Sequence, residues 1–307
     1  RCETRHMSTD QHASTGPWFV SALEYDGTSW SVRRHDPAAP LLTAFDFAAV
    51  RGDGAFEAMH IMDGKANKPE RHMERMARSL EHLGIAGPSY AEWKALINDL
   101  VAQWPAGIEG VLKLVISRGQ EGGPSPDVPT AYGTLVPIGD DLIAQRAGGI
   151  DVITLTFGYS AHQREEAPWL LGGTKYLSYA INMAAKREAA RRGAQDVLFV
   201  SSDGEVLEGP NSSIIWLTGD TLHTTPASTG ILRGTTQELI FSKVLGHGLH
   251  TNVTDADVPD VLAADGAWMS SSTRGVAAVK TLDGTPIAQS PQTTRLLQEL
   301  SGLPMPT

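Results

Sequence analysis

The chain has 307 residues, 41% of them hydrophobic and 20% charged, with a formal net charge of −10. That length and apolar content suit one large or two medium domains with a real core, and the acidic balance without a basic run argues against nucleic acid or anionic membrane as partners. The single cysteine, Cys2, excludes an intrachain disulfide framework and fits a reducing, cytoplasmic setting. No apolar run reaches the roughly 18 residues of a membrane span. Residues 1–15 are polar, and a disordered or tag-like N-terminus is expected there.

Turn signals organise the rest. Asp-Gly occurs at Asp26-Gly27, Asp63-Gly64, Asp203-Gly204 and Asp283-Gly284, each between short β-prone segments. Asp-Gly tolerates the positive φ angles of tight hairpins, so antiparallel pairs are expected. After the second hairpin, Met73, Met76, Leu80 and Leu83 recur at helical spacing between Pro69 and Gly84. A second helix is expected over 90–104, then strands over 111–117 and 132–136, separated by a Gly/Pro-rich loop at 119–129. The polar stretch 139–149 is the best linker, dividing a smaller unit at 16–138 from a larger one at 150–307. In the larger unit strands are expected at 151–157, 197–201, 205–208, 213–217, 221–224, 267–271 and 276–281. Helices are expected at 175–193, 234–247 and 291–301. Helices and hairpins mix without regular βα alternation, which makes the fold class α+β with two domains.

Within this order lies the chemistry. Gly172-Gly173-Thr174-Lys175 opens the helix expected to run to about Gly193. A cation in a first helical turn faces the positive end of the macrodipole, which lowers its pKa toward that of a nucleophilic amine. Some thirty residues on comes Glu208-Gly209-Pro210-Asn211-Ser212. Taken singly, a lysine at a helix start is a solvated residue and a glutamate at a strand end an exposed one; their order and spacing carry the reading.

The lysine and the Glu-Gly-x-x-Ser segment resemble the core of the class IV aminotransferases, the pyridoxal-phosphate enzymes of fold type IV. The resemblance runs from about Trp18 to the end. Arg51-Gly52-Asp53-Gly54-Ala55-Phe56-Glu57 is similar to the family's Gly-Asp-Gly-x-Phe/Tyr-Glu segment. His72-Met73-Glu74-Arg75 is similar to its His-x-x-Arg helix, with His72 and Arg75 on one face. Gly230-Ile231-Leu232-Arg233 and Ser270-Ser271-Ser272-Thr273-Arg274 match its two later turns. The resemblance implies a D-amino-acid-aminotransferase-like fold and pyridoxal 5'-phosphate as cofactor, with no metal. It implies that Lys175 attaches the cofactor and moves the proton, and that Glu208 faces the pyridine nitrogen. Arg75, the Ile231 and Leu232 amides and Ser272 would hold the phosphate.

For the reaction, Val111 to Gly119 looks like a stretch of bacterial aminodeoxychorismate lyases, which release pyruvate and p-aminobenzoate in folate biosynthesis. Phe56 lacks a tyrosine hydroxyl, and no Arg-x-His pair follows Arg118. Both features weaken a D-amino-acid transaminase. The loop after Gly119 also lacks an arginine those lyases often carry, and Arg51 replaces an aromatic. Transamination of a branched-chain or D-amino acid, with Tyr159 or Trp169 supplying an apolar wall, stays the alternative. A non-catalytic scaffold is the second alternative, and the presence of both Lys175 and Glu208 argues against it. Phe56, Arg118, Thr273 and Arg274 are the substrate-binding candidates for an amine substrate bearing carboxylates. A homodimer is expected from the family and from the prevalence of two-fold assemblies.

Overall fold

The computed structural model describes residues 16–122 and 128–305. The expectation for residues 1–15, Cys2 included, and the middle of the 119–129 loop lie outside the described residues. Two sheets organise the described residues. The first is six-stranded and wholly antiparallel, in the order β2-β1-β6-β5-β3-β4. Its strands are β1 (Phe19–Tyr25), β2 (Trp30–His35), β3 (Gly54–Met62), β4 (Lys65–Ala66), β5 (Gly110–Ser117) and β6 (Thr130–Pro137). Three helices accompany it: α1 (Phe47–Val50), α2 (Pro69–Leu83) and α3 (Tyr90–Gln103).

Sequence explains these elements closely. Asp63 and Gly64 both take positive φ, 47° and 71°, in the two-residue turn that pairs Met62 with Lys65. Pro69 starts α2, where its missing N–H costs nothing, and Gly84 ends it in the left-handed conformation. A capping box at Ser89 and Glu92 opens α3. Period-two alternation sends Ala55, Met59 and Ile61 of β3 and Leu112, Leu114 and Ile116 of β5 against Met76, Leu80, Trp93, Leu96 and Leu100 of the helices. The residues between them, Phe56, Ala58, Val111 and Lys113, face the other way and line a cavity.

The second sheet has eight strands, in the order β11-β10-β9-β12-β13-β7-β8 with β14 on β13. They are β7 (Ile150–Thr156), β8 (Asp196–Val200), β9 (Ser213–Thr218), β10 (Thr221–Thr224), β11 (His250–Val253), β12 (Gly266–Ser271), β13 (Gly275–Leu282) and β14 (Thr285–Pro286). Pairs β7/β8, β7/β13 and β10/β11 are parallel and the others antiparallel. Helices α5 (Gln163–Glu166), α6 (Ala180–Arg191), α7 (Thr235–Lys243), α8 (Val258–Leu262) and α9 (Pro291–Ser301) complete this half.

Four expectations change. Residues 139–149, expected as a polar linker between the units, are largely helical: α4 (Asp140–Gly148) packs on β13, and Leu142 reaches the cavity. The segment 205–208 is no named strand; it bonds back to β8 through an isolated bridge and through the Leu207 amide, which donates to the Phe199 carbonyl at 2.9 Å. The helix expected at 234–247 is α7 followed by a 3-10 turn at Val244–His247. Most consequentially, the helix expected at 175–193 begins only at Ala180.

Residues 174–177 instead form an extended strap laid along β3. The Phe56 amide donates to the Lys175 carbonyl at 3.0 Å, and the Leu177 amide to the Gly54 carbonyl at 2.9 Å. Glycine is required where the strap passes: a Cβ on Gly54 would stand 2.2 Å from the Ile116 carbonyl oxygen and 2.7 Å from Leu177 Cδ1. Gly52, at φ +65°, lies against Ser178. The Gly-Asp-Gly sequence therefore serves as the seat of the strap.

Candidate active site

The two halves enclose a cavity of about 330 Å³. Lys175, Glu208, Arg75, Ile231, Leu232, Ser272, Thr273 and Phe56, candidates from the sequence, all line it. Lys175 is half-buried, and its Nζ lies 4.4 Å from the Phe56 ring centroid and 5.6 Å from that of Tyr179. Burial, reinforced by the Arg75 charge, lowers the amine to about 8. The depressed value thus has a cause other than a helix dipole, because no helix starts at Lys175.

Glu208 lies in the arm that follows β8. Burial pushes its carboxyl up to about 7. A single backbone donor opposes this: the Leu232 amide donates to Oε1 at 3.1 Å. The Leu232 N–H, expected to face a phosphate, is directed at Glu208 in this structure.

Arg75 reaches the same cavity from α2. Its Nε and Nη2 donate to Glu57 at 2.6 and 2.8 Å, and Nη1 donates to the Arg233 carbonyl at 2.9 Å. His72, one turn earlier, places Nδ1 2.7 Å from the same carboxylate. Burial works against the Glu57 charge, but the Arg75 guanidinium and the two sets of hydrogen bonds hold the carboxyl well below its usual range. In the sequence Glu57 stands out only as the end of the Gly-Asp-Gly-x-Phe-Glu segment. Its partner became visible once α2 packed on the inner face of β3.

Around Arg75 the N-terminus of α7 contributes Gly234, Thr235 and Thr236 to the lining, and Thr235 Oγ1 lies 2.9 Å from Ser272 Oγ. Opposite, the Tyr179 hydroxyl donates to the Pro210 carbonyl at 2.5 Å, and burial raises its pKa.

Two substrate candidates lie elsewhere. Arg118 is bound to Asp53 at 2.7 Å and caps the end of α2 through the Leu83 and Gly84 carbonyls at 2.7 and 3.1 Å. It orders the Gly-Asp-Gly turn and does not line the cavity. Arg274 turns inward, 3% exposed, with Nη2 2.8 Å from Asp196 and Nη1 donating to Gln145 at 3.2 Å. A charge at a turn reads as solvated in sequence; here the turn folds back over α4. Tyr159 and Trp169 are also absent from the lining, and Trp169 is 78% exposed.

Besides Lys175 and Arg75, the cations that line the cavity are Lys113, on β5, and Arg164, on α5. Lys113 Nζ stands 5.9 Å from the Phe56 centroid, and the Arg164 guanidinium packs 5.2 Å from the Phe157 ring. A lysine alternating with Leu112 and Leu114 was the available signal for Lys113. Nothing local marked Arg164, which is seated by the missing side chains of Gly172 and Gly230: Cβ atoms there would approach its Cβ to 2.9 and 2.6 Å.

The donor set fits pyridoxal phosphate. One end offers a guanidinium, a helix N-terminus and two hydroxyls for a phosphate dianion. The floor offers a carboxyl group for a ring nitrogen, and the wall a primary amine for an aldehyde. Fold and cavity together define a fold type IV pyridoxal-phosphate enzyme.

Comparison with known proteins gives the same class. The family model for amino-transferase class IV matches residues 54–282. A bifunctional aminodeoxychorismate lyase / D-amino acid transaminase from Mycobacterium tuberculosis is 40% identical over 264 residues, 83% of this chain and 90% of that protein. The pyridoxal-phosphate-bound form of a hypothetical aminotransferase from Mycobacterium tuberculosis superposes with a TM-score of 0.86 at 38% identity, over 93% of this chain and 98% of that one. A fold IV transaminase from Curtobacterium pusillum gives 0.86 at 35% identity, over 94% and 100%. The chain belongs to the class IV aminotransferase family and is a pyridoxal 5'-phosphate-dependent enzyme. Among the described residues no helix is long and apolar enough to cross a membrane.

Proposed function

We propose that this enzyme releases pyruvate and p-aminobenzoate from 4-amino-4-deoxychorismate. The observation that carries the reading is the wall around Phe56. A proton-moving amine, Lys175, and a cation, Lys113, flank one apolar ring lacking a hydroxyl, at 4.4 and 5.9 Å from its centroid. Such a wall suits an unsaturated ring that carries carboxylates and must lose a proton.

Bound pyridoxal phosphate would supply an electron sink beside the substrate carbon. Arg75, Ser272, Thr235 and the α7 N-terminus would hold its phosphate. Glu208 would keep the pyridine nitrogen protonated. The Lys175 amine would take the proton from the carbon bearing the substrate nitrogen, while Lys113 receives a carboxylate. The substrate ring would then aromatise as its enolpyruvyl C–O bond breaks, and the departing enolate takes up a proton on its methylene carbon to become pyruvate. Thr273 and Phe56 complete the substrate side.

D-amino-acid transamination is the second reading. The Mycobacterium tuberculosis relative is named for both activities, and the same lysine could return the proton to the cofactor instead. The two differ in stoichiometry. The lyase needs no second substrate, whereas a transaminase stops after one turnover until a keto acid arrives.

The test is a product assay on the holoenzyme with 4-amino-4-deoxychorismate alone, beside D-amino acids with and without a keto acid. Sustained p-aminobenzoate and pyruvate formation is expected. Lys113→Ala is expected to raise KM for this substrate about tenfold through loss of a charge-assisted contact. Absence of both products, with a keto-acid-dependent conversion of D-amino acids, would replace the first reading by the second.

We also propose a cytoplasmic homodimer. The apolar side chains of Phe45 and Val50, 66% and 41% exposed around α1, support a protein partner on that face. Residues 16–138 and 150–307 would be its two units per subunit, joined through 139–149.

A further inference from the structure

Helix α2 touches the cavity machinery at three points along one stripe. Arg75, Ser79 and His82 stand at i, i+4 and i+7, so they share a face. Arg75 reaches the phosphate end. Ser79, 1% exposed, accepts the Lys175 amide at 3.1 Å through its Oγ. His82 Nδ1 lies 2.9 Å from the hydroxyl of Thr174, the residue before Lys175. On the other side of the strap the Lys175 carbonyl accepts from the Phe56 amide of β3.

Both backbone polar groups of Lys175 are therefore bonded to the first sheet and its helix. Glu208 belongs to the second half, where the Phe199 amide donates to its carbonyl at 2.9 Å. The lysine follows β7 in the chain, yet its backbone is fixed by elements that precede it by about a hundred residues.

We propose that Ser79 is a positioning residue for Lys175, and that α2 sets the distance between the phosphate-binding guanidinium and the lysine amine. A helix is stiff, and one residue advances it 1.5 Å. The spacing from Arg75 to Ser79 is thereby transferred to the two ends of the cofactor, phosphate and aldehyde. Without the Ser79 acceptor the Lys175 amide loses its partner, and the strap is held on the β3 side alone. The amine then samples positions displaced from the aldehyde carbon. Attachment requires that amine to add to the aldehyde carbon, forming one C=N bond as one water leaves. Its rate depends on where the amine is held.

The inference rests on Lys175 as the attachment lysine. The experiment compares wild type, Ser79→Ala and Ser79→Thr, mixing apoprotein with pyridoxal phosphate and quenching with borohydride at timed intervals. The labelled peptide is located and quantified by mass spectrometry, with cofactor occupancy measured by equilibrium binding. Ser79→Ala is expected to slow attachment and kcat by roughly tenfold to a hundredfold, with KM for the amine substrate within about twofold of wild type. Ser79→Thr, which keeps the acceptor, is expected to restore attachment.

Wild-type attachment and kcat in Ser79→Ala would overturn the proposal, as would a Ser79→Thr variant as impaired as Ser79→Ala. Should Ser79→Ala fail to fold, Ser79→Cys, similar in size and only a weak acceptor, decides by the same criteria. Label on another lysine would break the assignment of Lys175. Label on Lys175 at an unchanged rate breaks only the role of Ser79.

Discussion

Glu57 and Glu208 are two carboxylates in one site with opposite behaviour. Glu57 belongs to the first sheet and is wholly buried beneath Arg75 and His72. Its carboxyl is held strongly ionised, whereas that of Glu208 is pushed up to about 7. Burial opposes the charge of both. What separates them is the number of aligned donors: a bidentate guanidinium and an imidazole for Glu57, one backbone amide for Glu208. The first arrangement fixes an arginine in place. The second leaves a carboxyl with a raised pKa, which suits the partner of a ring nitrogen proposed above. Low accessibility alone does not tell a structural charge from a chemical one.

The contrast can be broken at several points, in descending order of effect. Lys175→Ala removes the amine proposed to move the proton. Turnover at saturating cofactor should fall by on the order of 10²–10⁴, the usual range for an acid–base group. Turnover like that of wild type would move the proton transfer to another residue.

Glu57→Gln should act on stability first. It leaves the buried Arg75 guanidinium without its counter-charge, a loss of roughly 3–5 kcal/mol. Urea unfolding reads this directly, and cofactor affinity should drop with it as Arg75 loses its orientation. A variant as stable as wild type would show that Glu57 does not hold the arginine.

Glu208→Gln should show the reverse pattern. Turnover should decrease by on the order of 10²–10³, as for loss of one preorganised electrostatic group, with unfolding free energy equal to or above that of wild type. If the two glutamine variants respond alike in rate and stability, the distinction between the carboxylates fails.

The smallest effect is a pH dependence of the apoprotein. Folding raises the Glu208 carboxyl from 4.5 to about 7. Its contribution is therefore fully present below 4.5 and lost as pH rises through 7. Wild-type stability relative to Glu208→Gln should increase as pH falls from about 8 to 4.5. Glu57 has the opposite sign: its contribution is present above its unfolded value and lost only as acid brings the pH through its depressed folded value. A flat stability difference between pH 8 and 4.5 would count against the raised value at Glu208.

Sequence alone determined the family, the α+β class and most elements, because those signals are local. Asp-Gly pairs at 63–64 and 283–284 make two-residue turns, and the helix expected at 291–301 is α9. The resemblance of their motifs to the family's pointed to Lys175, Glu208, Arg75 and Ser272, and all four line the cavity. What sequence could not determine was which charges face the cavity. Arg118 and Arg274 looked free beside the right motifs, yet each is taken up by partners distant in the chain, Asp53 and the end of α2 for one, Asp196 and Gln145 for the other. Lys113 and Arg164 took their places because strand alternation and two glycines aimed them inward. The setting of Lys175 was equally beyond local reading. Its segment has the composition of a helix start, but the backbone bonds that β3 and Ser79 offer draw it into a strap. The lowered pKa of its amine then comes from burial against Phe56 and from Arg75, both supplied by the packing of one half of the chain against the other.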